Sequence, residues 1–273
     1  MKATVIVDNN AHEGVNGEWG LSILIEYNGR SILLDAGASS LYEDNAKKLG
    51  LDLDRVSISV LSHAHYDHAN GMEYFLTNHP EARLFLQSAC AENCYAKKSD
   101  IMEYIGIPRG FLRHYSAQLV FVSGVCEILK GVWLVPHNTP ALDQLGRREN
   151  MFIQDPNRPD CWMPDSFQHE QSLVFEVPQG LVIFNSCSHG GAGNIIKEVS
   201  DALPGKAICA LVGGFHLYNK TESEIRSFAN AIDESDVKYI YTGHCTGDPA
   251  FAILKKMLGS KVRQFHVGLV MEF

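Results

Sequence analysis

The sequence lacks the features of membrane, secreted and disulfide-stabilised proteins. No stretch of about 18 uninterrupted apolar residues occurs, and the apolar run before Asp8 is shorter than the roughly 7 to 15 residues of a secretory signal core. The seven cysteines are an odd number in a chain of 273 residues, which is long enough to fold without disulfide bonds. We therefore expect a soluble cytoplasmic protein that has reduced thiols and does not contact a membrane.

Basic residues are too few for a nucleic-acid-binding surface. The chain has 23 Lys and Arg residues against 32 Asp and Glu residues, a formal net charge of −9, whereas proteins that neutralise many phosphates carry an excess of positive charge. A local cationic pocket for one small phosphate is compatible with this balance. The charge therefore favours a small-molecule partner, including a phosphate compound, over a nucleic acid.

The order of apolar segments predicts a layered protein. Hydrophobic residues make up 45% of the chain, and short β-branched runs alternate with amphipathic stretches without a linker or an internal repeat. Hairpin strands come first and strand–helix alternation follows, so we predict one domain over residues 1–273 of the α/β (α+β) class. We expect a four-layer αββα sandwich of two mixed β-sheets with helices outside. The less periodic segment from about residue 100 to 165 predicts an insertion or lid over the site.

Two cysteines invite a separate structural prediction. Cys90 and Cys94 are four residues apart, a spacing that places both side chains on one face of a helix. No second pair completes a structural zinc site. We therefore expect Cys90 and Cys94 to pack within an ordinary helix.

The placement of the histidines indicates a metal site. Of the 12 histidines in the chain, six lie at or just beyond the C-terminal ends of predicted strands, where functional groups collect: His63, His65, His68, His189, His216 and His244. In LSHAHYDHANG, the extended backbone places His63 and His65 on the same side, and Asp67 follows as the chain turns into a helix. An aspartate at the start of a helix often serves only as a helix cap. Four potential ligands within six residues nevertheless predict metal binding.

The ligand types indicate which metals bind. Neutral imidazole and carboxylate together suit zinc, with manganese or iron as alternatives. The four groups of the motif together with His189 and His244 exceed what one tetrahedral site uses. We therefore expect two divalent metal ions.

Several motifs resemble those of a known family. The order and spacing of SILLDAG, LSHAHYDHANG, CSHGG and YTGHCTG are similar to those of the metallo-β-lactamase superfamily, and these motifs span nearly the whole chain. A further set resembles the dihydropterin synthase-like branch of that superfamily: VDNN, EWGLSILIE, EQSLVF, SCSHGGAGNII, GGFHLYN and TGHCTG. The resemblance implies the metallo-β-lactamase-like fold.

The resemblance also implies a role for each matching residue. His63 and His65 would bind the first metal, and His189 would be its third ligand. The second metal would be bound by Asp67, His68 and His244. Asp35, in LDAG, matches a carboxylate that orients ligands from behind, although a turn residue before a glycine is the alternative. Asp67 would also act at the reacting centre. His216, in GGFHL, would bind substrate or transfer a proton.

One departure from the superfamily leaves ligand positions open. Many of its hydrolases end the strand corresponding to GLVIFNS with a metal-bridging aspartate, whereas this chain continues with Cys187. Cys187 is expected to be a buried neighbour of the ligands, or alternatively to approach a metal directly. His137 and His169 are alternatives to His189 as third ligand of the first metal. Glu170 is either an acid–base group or a hydrogen-bonding link between loops.

The resemblance and the predicted metals together imply an enzyme. Two such metals lower the pKa of water and neutralise charge on a leaving oxygen. This implies a metal-dependent hydrolase, or a transferase that holds a departing phosphate, acting on a small phosphate- or pterin-related molecule. A phosphodiesterase or ribonuclease of the same superfamily and a noncatalytic metal-dependent ligand sensor are the alternatives, because fold and motif leave the substrate open.

Overall fold

The computed structural model describes residues 1–155 and 157–273. Its helices are α1 (Leu41–Lys48), α2 (Tyr66–Ala69), α3 (Gly71–Asn78), α4 (Phe111–His114), α5 (Asp143–Glu149), α6 (Ala192–Ala202), α7 (Glu222–Glu234) and α8 (Asp248–Leu258), with 3₁₀ turns at Leu53–Arg55, His244–Thr246 and Gly259–Lys261. Among the described residues, α7 is the longest helix with 13 residues, and none of the helices combines the length and apolarity that crossing a bilayer requires.

The strands alternate with these helices along the described residues. They are β1 (Lys2–Val7), β2 (Ser22–Tyr27), β3 (Arg30–Leu34), β4 (Val56–Val60), β5 (Arg83–Gln87), β6 (Cys94–Lys98), β7 (Ile101–Tyr104), β8 (Leu119–Val122), β9 (Cys126–Leu129), β10 (Val132–Pro136), β11 (Met151–Asp155), β12 (Arg158–Pro164), β13 (Gln171–Val177), β14 (Gly180–Phe184), β15 (Ile208–Val212), β16 (Tyr239–Thr242), β17 (Val262–Gln264) and β18 (Val270–Glu272).

Two seven-stranded mixed sheets form the centre of the molecule. Sheet one has the order β18-β1-β2-β3-β4-β5-β8, and sheet two has the order β17-β16-β15-β14-β13-β10-β9. In sheet one, β3, β4, β5 and β8 run parallel, as do β14, β15, β16 and β17 in sheet two. The antiparallel pairs β2–β3 and β13–β14 are hairpins, which turn at Asn28-Gly29 and at residues 178–179.

The two sheets pack face to face and carry helices on their outer faces. Ile23 and Leu34 of sheet one share an apolar cluster with Leu173 and Phe184 of sheet two. A second cluster joins the outer face of sheet one to α1 and α3, and a third joins sheet two to α6, α7 and α8. Because both faces of each sheet are covered, the central strands are apolar on both sides. The predicted four-layer αββα sandwich is confirmed.

The segment expected to form an insertion or lid contributes a third sheet. This antiparallel sheet has the order β12-β11-β6-β7, and β6 pairs with β11 to join its two hairpins. β8, β9 and β10 lie between these hairpins in the chain but belong to the two main sheets. Pro156, within the predicted insertion, lies outside the described residues.

One local prediction is wrong. Cys90 and Cys94 do not share a helix, because Cys94 begins β6 and pairs with Ile153, so pairing with strands distant in sequence overrides the local spacing. The last 11 residues contribute to both main sheets. β17 belongs to sheet two and β18 to sheet one, because the chain turns between them at Gly268, whose φ is 89°.

Candidate metal centre

The predicted ligand residues converge at one edge of the sandwich. Sheet one contributes the turn after β4 and the short helix α2, and sheet two contributes the turns after β14 and β16. Since parallel strands present their carboxyl ends at the same edge of a sheet, residues far apart in the chain become neighbours. Six buried side chains meet there, with 0% to 7% of their surface exposed: His63, His65, Asp67, His68, His189 and His244.

A first group consists of three imidazoles. The ring centroids of His63, His65 and His189 lie 4.6 to 4.9 Å from one another. Nε2 of His63, Nε2 of His65 and both ring nitrogens of His189 have no hydrogen-bond partner among the described residues. Buried polar atoms without partners are costly, and a bound cation would satisfy them. The residues therefore fit a metal ion.

Burial sets the charge state of this first group. It lowers the pKa of His63 and of His189 well below the ordinary value, and it lowers the pKa of His65 to about 3. The neighbouring histidines repel added positive charge and act in the same direction for His63 and His189. All three imidazoles are therefore neutral near pH 7, which is the form that binds metal.

A second group combines a carboxylate with two imidazoles. Nε2 of His68 lies 3.2 Å from Nε2 of His244, and the two atoms lie 3.8 and 3.3 Å from Oδ2 of Asp67. Burial raises the pKa of Asp67, but His68 and His244 outweigh it and hold that pKa below its usual value. Burial lowers the pKa of His244, but Asp67 outweighs it and raises the pKa to about 9. An anionic oxygen and two ring nitrogens facing one point fit a divalent cation that displaces the proton.

Asp35 lies behind these ligands and is fully buried. Its carboxylate accepts hydrogen bonds from the backbone N of Ser62 at 2.7 Å, the Ser62 hydroxyl at 2.7 Å and the Ser186 hydroxyl at 2.6 Å. It also contacts Nδ1 of His68 at 2.8 Å. This contact assigns the His68 proton to Nδ1 and directs Nε2 towards the ligand group.

His244 is held by two residues to which the sequence analysis gave no role. The backbone N of His244 donates to Oδ1 of Asp8 at 2.9 Å, and its Nδ1 lies 3.1 Å from Oδ1 of Asn9. Both belong to VDNN at the end of β1. That motif was noted only for its resemblance, although polar residues that end a buried strand are a signal for such a role.

His137 lies between two carboxylates. Its Nδ1 lies 2.8 Å from Glu198 and its Nε2 lies 2.5 Å from Glu170. Burial lowers the pKa of His137, but the hydrogen bonds to both carboxylates outweigh this and raise it to about 9. Both ring nitrogens are therefore engaged by acidic side chains.

Glu170 links loops through hydrogen bonds. Besides His137, its carboxylate accepts bonds from the backbone N atoms of His189 at 3.0 Å and Gly190 at 2.9 Å. A Cβ atom at Gly190 would lie 2.2 Å from Cε1 of His137, so only glycine permits this approach. Of the two roles considered for Glu170, the geometry favours the link that fixes the turn carrying His189.

His169 is also engaged on both ring nitrogens. Its Nδ1 accepts a hydrogen bond from the backbone N of Ala64 at 3.2 Å, and its Nε2 lies 3.0 Å from Asp165. Accepting at Nδ1 places the proton on Nε2, which donates to Asp165. Ligand atoms of His65 and Cys94 lie within 4.8 Å of this pair, yet His169 and Asp165 are satisfied without a cation. The geometry therefore favours His189 as the third ligand of the first group.

Cys187 lies between the two groups. Its Sγ is 3.2 Å from Nε2 of His68, and it lies within 4.8 Å of ligand atoms of His63 and His189 on one side and of His68 and His244 on the other. The Sγ of Cys245 is 3.5 Å away. The thiol is thus closer to both groups than a purely packing role requires.

His216 lies beside the centre and not within either group. Its ring centroid is 4.8 Å from that of His189, and its Nδ1 is 3.3 Å from Glu149. Glu149 also binds Nζ of Lys220 at 2.5 Å. Burial raises the pKa of Glu149, but His216 and Lys220 outweigh it and lower the pKa to about 2. Sequence analysis missed Glu149 because it ends α5 in the irregular segment.

Comparison with known proteins places this arrangement in a family context. Residues 19–84 match the family model described as the metallo-β-lactamase superfamily. An uncharacterised protein of Methanocaldococcus jannaschii, MJ0448, is 27% identical over an alignment of 281 positions, which covers 97% of this chain and 98% of that protein. The 7,8-dihydropterin-6-methyl-4-(β-D-ribofuranosyl)-aminobenzene-5'-phosphate synthase of the same organism is 26% identical over an alignment of 277 positions, which covers 93% of this chain and 90% of that enzyme.

Solved structures have the same fold. Tm1679, described as a metal-dependent hydrolase of the β-lactamase superfamily, superposes with a TM-score of 0.83 and 28% identity, covering 100% of this chain and 99% of Tm1679. Zinc-bound PqqB from Methylobacterium extorquens has a TM-score of 0.54 and 12% identity, covering 100% of each chain. The PqqB likeness concerns the fold alone.

Proposed function

We propose that this chain is an enzyme of the metallo-β-lactamase superfamily. It uses two divalent metal ions, with zinc as the expected metal, on a small phosphate- or pterin-related molecule. The reaction is hydrolysis, or a transfer in which a phosphate departs. The observation that carries the proposal is the pair of buried ligand groups. Similarity to the dihydropterin-related synthase supports the substrate class.

The two groups divide the ligands between the metals. His63, His65 and His189 hold the first metal through their unpartnered nitrogens. The second metal binds where the Asp67 carboxylate faces the Nε2 atoms of His68 and His244. When bound, such a metal pair lowers the pKa of a water molecule and neutralises negative charge on a leaving oxygen.

The remaining site residues position these groups. Asp35 holds the proton of His68 on Nδ1, so that Nε2 remains free for the metal. Asp67 brings its negative charge to the reacting centre. His216, whose Nδ1 lies 3.3 Å from Glu149, contacts the substrate or carries a proton. The thiol of Cys187 lies within 4.8 Å of ligand atoms in both groups and serves as a further ligand.

A turnover assay tests the proposal. Protein purified without chelator and loaded with zinc or manganese is offered a panel of phosphoesters and lactones. We expect turnover of at least one phosphoester and loss of turnover in His65→Ala, which removes a ligand. His79→Ala is the matched control, since His79 packs on Phe75 in α3, outside both ligand groups.

The same preparation separates the alternatives. Elemental analysis should give stoichiometric bound metal in the wild type and in His79→Ala, and less in His65→Ala. Binding of panel compounds without any turnover would contradict the enzymatic proposal and support a ligand sensor. Absence of metal uptake on titration would overturn the assignment of both ligand groups.

A further inference from the structure

Three exposed aromatic side chains surround the opening above the metal-binding residues. Trp19 is 43% exposed, Tyr66 38% and Tyr218 49%. Single exposed aromatic residues are common on protein surfaces. These three, however, come from the β1–β2 loop, the start of α2 and the turn after β15, and they line one cavity of about 280 Å³.

The floor of this cavity consists of site residues. Asp67, His189 and His244 line it together with His216 and Cys187. A molecule that enters between the aromatic side chains therefore reaches both ligand groups. On another side, the cavity is lined by Lys98 and Glu103 of the third sheet, which form an ion pair at 2.5 Å and offer polar partners to substituents on a bound ring.

Two of the three aromatic side chains, Trp19 and Tyr218, contact each other and the floor of the cavity. The rings of Trp19 and Tyr218 meet edge to face at 5.5 Å with an interplanar angle of 79°. Trp19 also lies 5.0 Å from the ring of His244, and Tyr218 lies 5.1 Å from the ring of His216. Side chains packed in this way lose little conformational entropy when a ligand binds, which favours affinity.

We propose that Trp19, Tyr66 and Tyr218 form an aromatic rim that stacks a planar aromatic or heteroaromatic ring of the substrate, while an anionic group of the same molecule reaches the metal-binding residues below. This inference rests on the proposed function and narrows its substrate class. Ring–ring contacts contribute about 0.5 to 1.5 kcal/mol beyond the area they bury. The rim therefore discriminates planar rings from saturated rings of similar size.

Binding of two matched phosphonates tests the rim without requiring turnover. Dissociation constants of phenylphosphonate and cyclohexylphosphonate are measured by calorimetry on the zinc-loaded protein. Since the two ligands share their anionic group and differ in planarity, we expect the phenyl compound to bind about three- to tenfold more tightly. Trp19→Ala and Tyr218→Ala should each reduce this preference, whereas Trp19→Phe and Tyr218→Phe should keep most of it.

Two measurements make the outcome decisive. Phe121→Ala removes an aromatic side chain that is 50% exposed on the edge strand β8, and it should leave the preference unchanged. Metal content measured in every variant separates loss of stacking from loss of the metals. Equal affinity for the two phosphonates, a preference that survives both alanine variants, or no binding of either compound would overturn the rim. Binding with this preference but without turnover of any phosphoester would instead refute the proposed function.

Discussion

Replacing Asp35 by asparagine is expected to weaken metal binding by about 10- to 100-fold, or about 1.4 to 2.7 kcal/mol. The carboxylate of Asp35 accepts three hydrogen bonds from Ser62 and Ser186 and contacts Nδ1 of His68 at 2.8 Å. An amide has only one acceptor oxygen, so its NH₂ group must face at least one of these donors. The NH₂ group then faces either the backbone N of Ser62, at the Oδ1 position, or His68 and the two hydroxyls, at the Oδ2 position. In both orientations His68 loses the negative charge that holds its proton and its ring in place.

The same change is expected to destabilise the metal-free fold. A hydrogen bond to a charged group contributes about 1.5 to 3 kcal/mol, and a buried donor left without a partner adds its own cost. The total should be about 3 to 5 kcal/mol, as for other buried charged pairs that lose one member. Backbone strain does not contribute to the difference, because Asp35 has a φ of 55° and asparagine tolerates this region as well as aspartate does.

Zinc titration with a competing chelator and urea unfolding of the metal-free protein measure the two effects separately. Ser186→Ala is the graded control, since it removes one hydrogen bond from Asp35 and leaves His68 in place. It should cost about 1 kcal/mol of folding free energy and change metal affinity little. Wild-type zinc affinity in Asp35→Asn would refute the idea that this carboxylate organises the ligands.

Two further measurements address other parts of the site. Cobalt-substituted protein should show a sulfur-to-cobalt charge-transfer band that disappears in Cys187→Ser. The band should persist in Cys209→Ser, because the thiol of Cys209 lies in the apolar core at β15. An unchanged band in Cys187→Ser would make Cys187 a neighbour of the metals and not a ligand. The pKa of His137 is about 9 in the folded protein, above the value of about 6.5 in the unfolded chain. Its bonds to Glu170 and Glu198 therefore contribute fully to stability below pH 6.5, and this contribution is lost as the pH rises to about 9. Below pH 6.5, the free energy of unfolding in urea should be higher for the wild type than for His137→Asn, by on the order of 3 kcal/mol. This difference should shrink as the pH rises to about 9. A difference that stays constant over this range would contradict the raised pKa.

The layered fold and the meeting of the ligands could be predicted because both depend on short-range patterns. A buried strand is an apolar run with clear ends, and the residues that follow it must lie at the edge of a sheet. His63, His189 and His244 follow β4, β14 and β16, so knowing the strands was sufficient to bring them together. The face-to-face packing follows from sheets that are apolar on both sides.

The parts that could not be predicted depend on pairing between distant segments. Cys94 begins a strand that pairs with the neighbouring β7 and with β11, more than 50 residues later. Glu149 reaches His216 across 67 positions of sequence, and no local pattern in α5 indicates this contact. The choice of His189 over His137 and His169 likewise depended on which imidazoles were already hydrogen-bonded, a property that only the folded chain defines.

Backbone strain at the centre indicates that the side chains there have roles that outweigh the preference of this conformation for glycine. Asp35, Ser188, His216 and His244 have φ values of 47° to 55°, in the left-handed region that favours glycine. Such residues cost of order 1 to 3 kcal/mol each when the surroundings impose that conformation. Glycine would relieve the strain at each of these positions, as it does at Gly213 beside them, with a φ of 153°. Instead the backbone places Asp35 behind the ligands, His244 in the second group and His216 beside the centre. Asp35 is held there by hydrogen bonds that it accepts from Ser62 and Ser186, and His244 by the bond that its backbone N donates to Asp8.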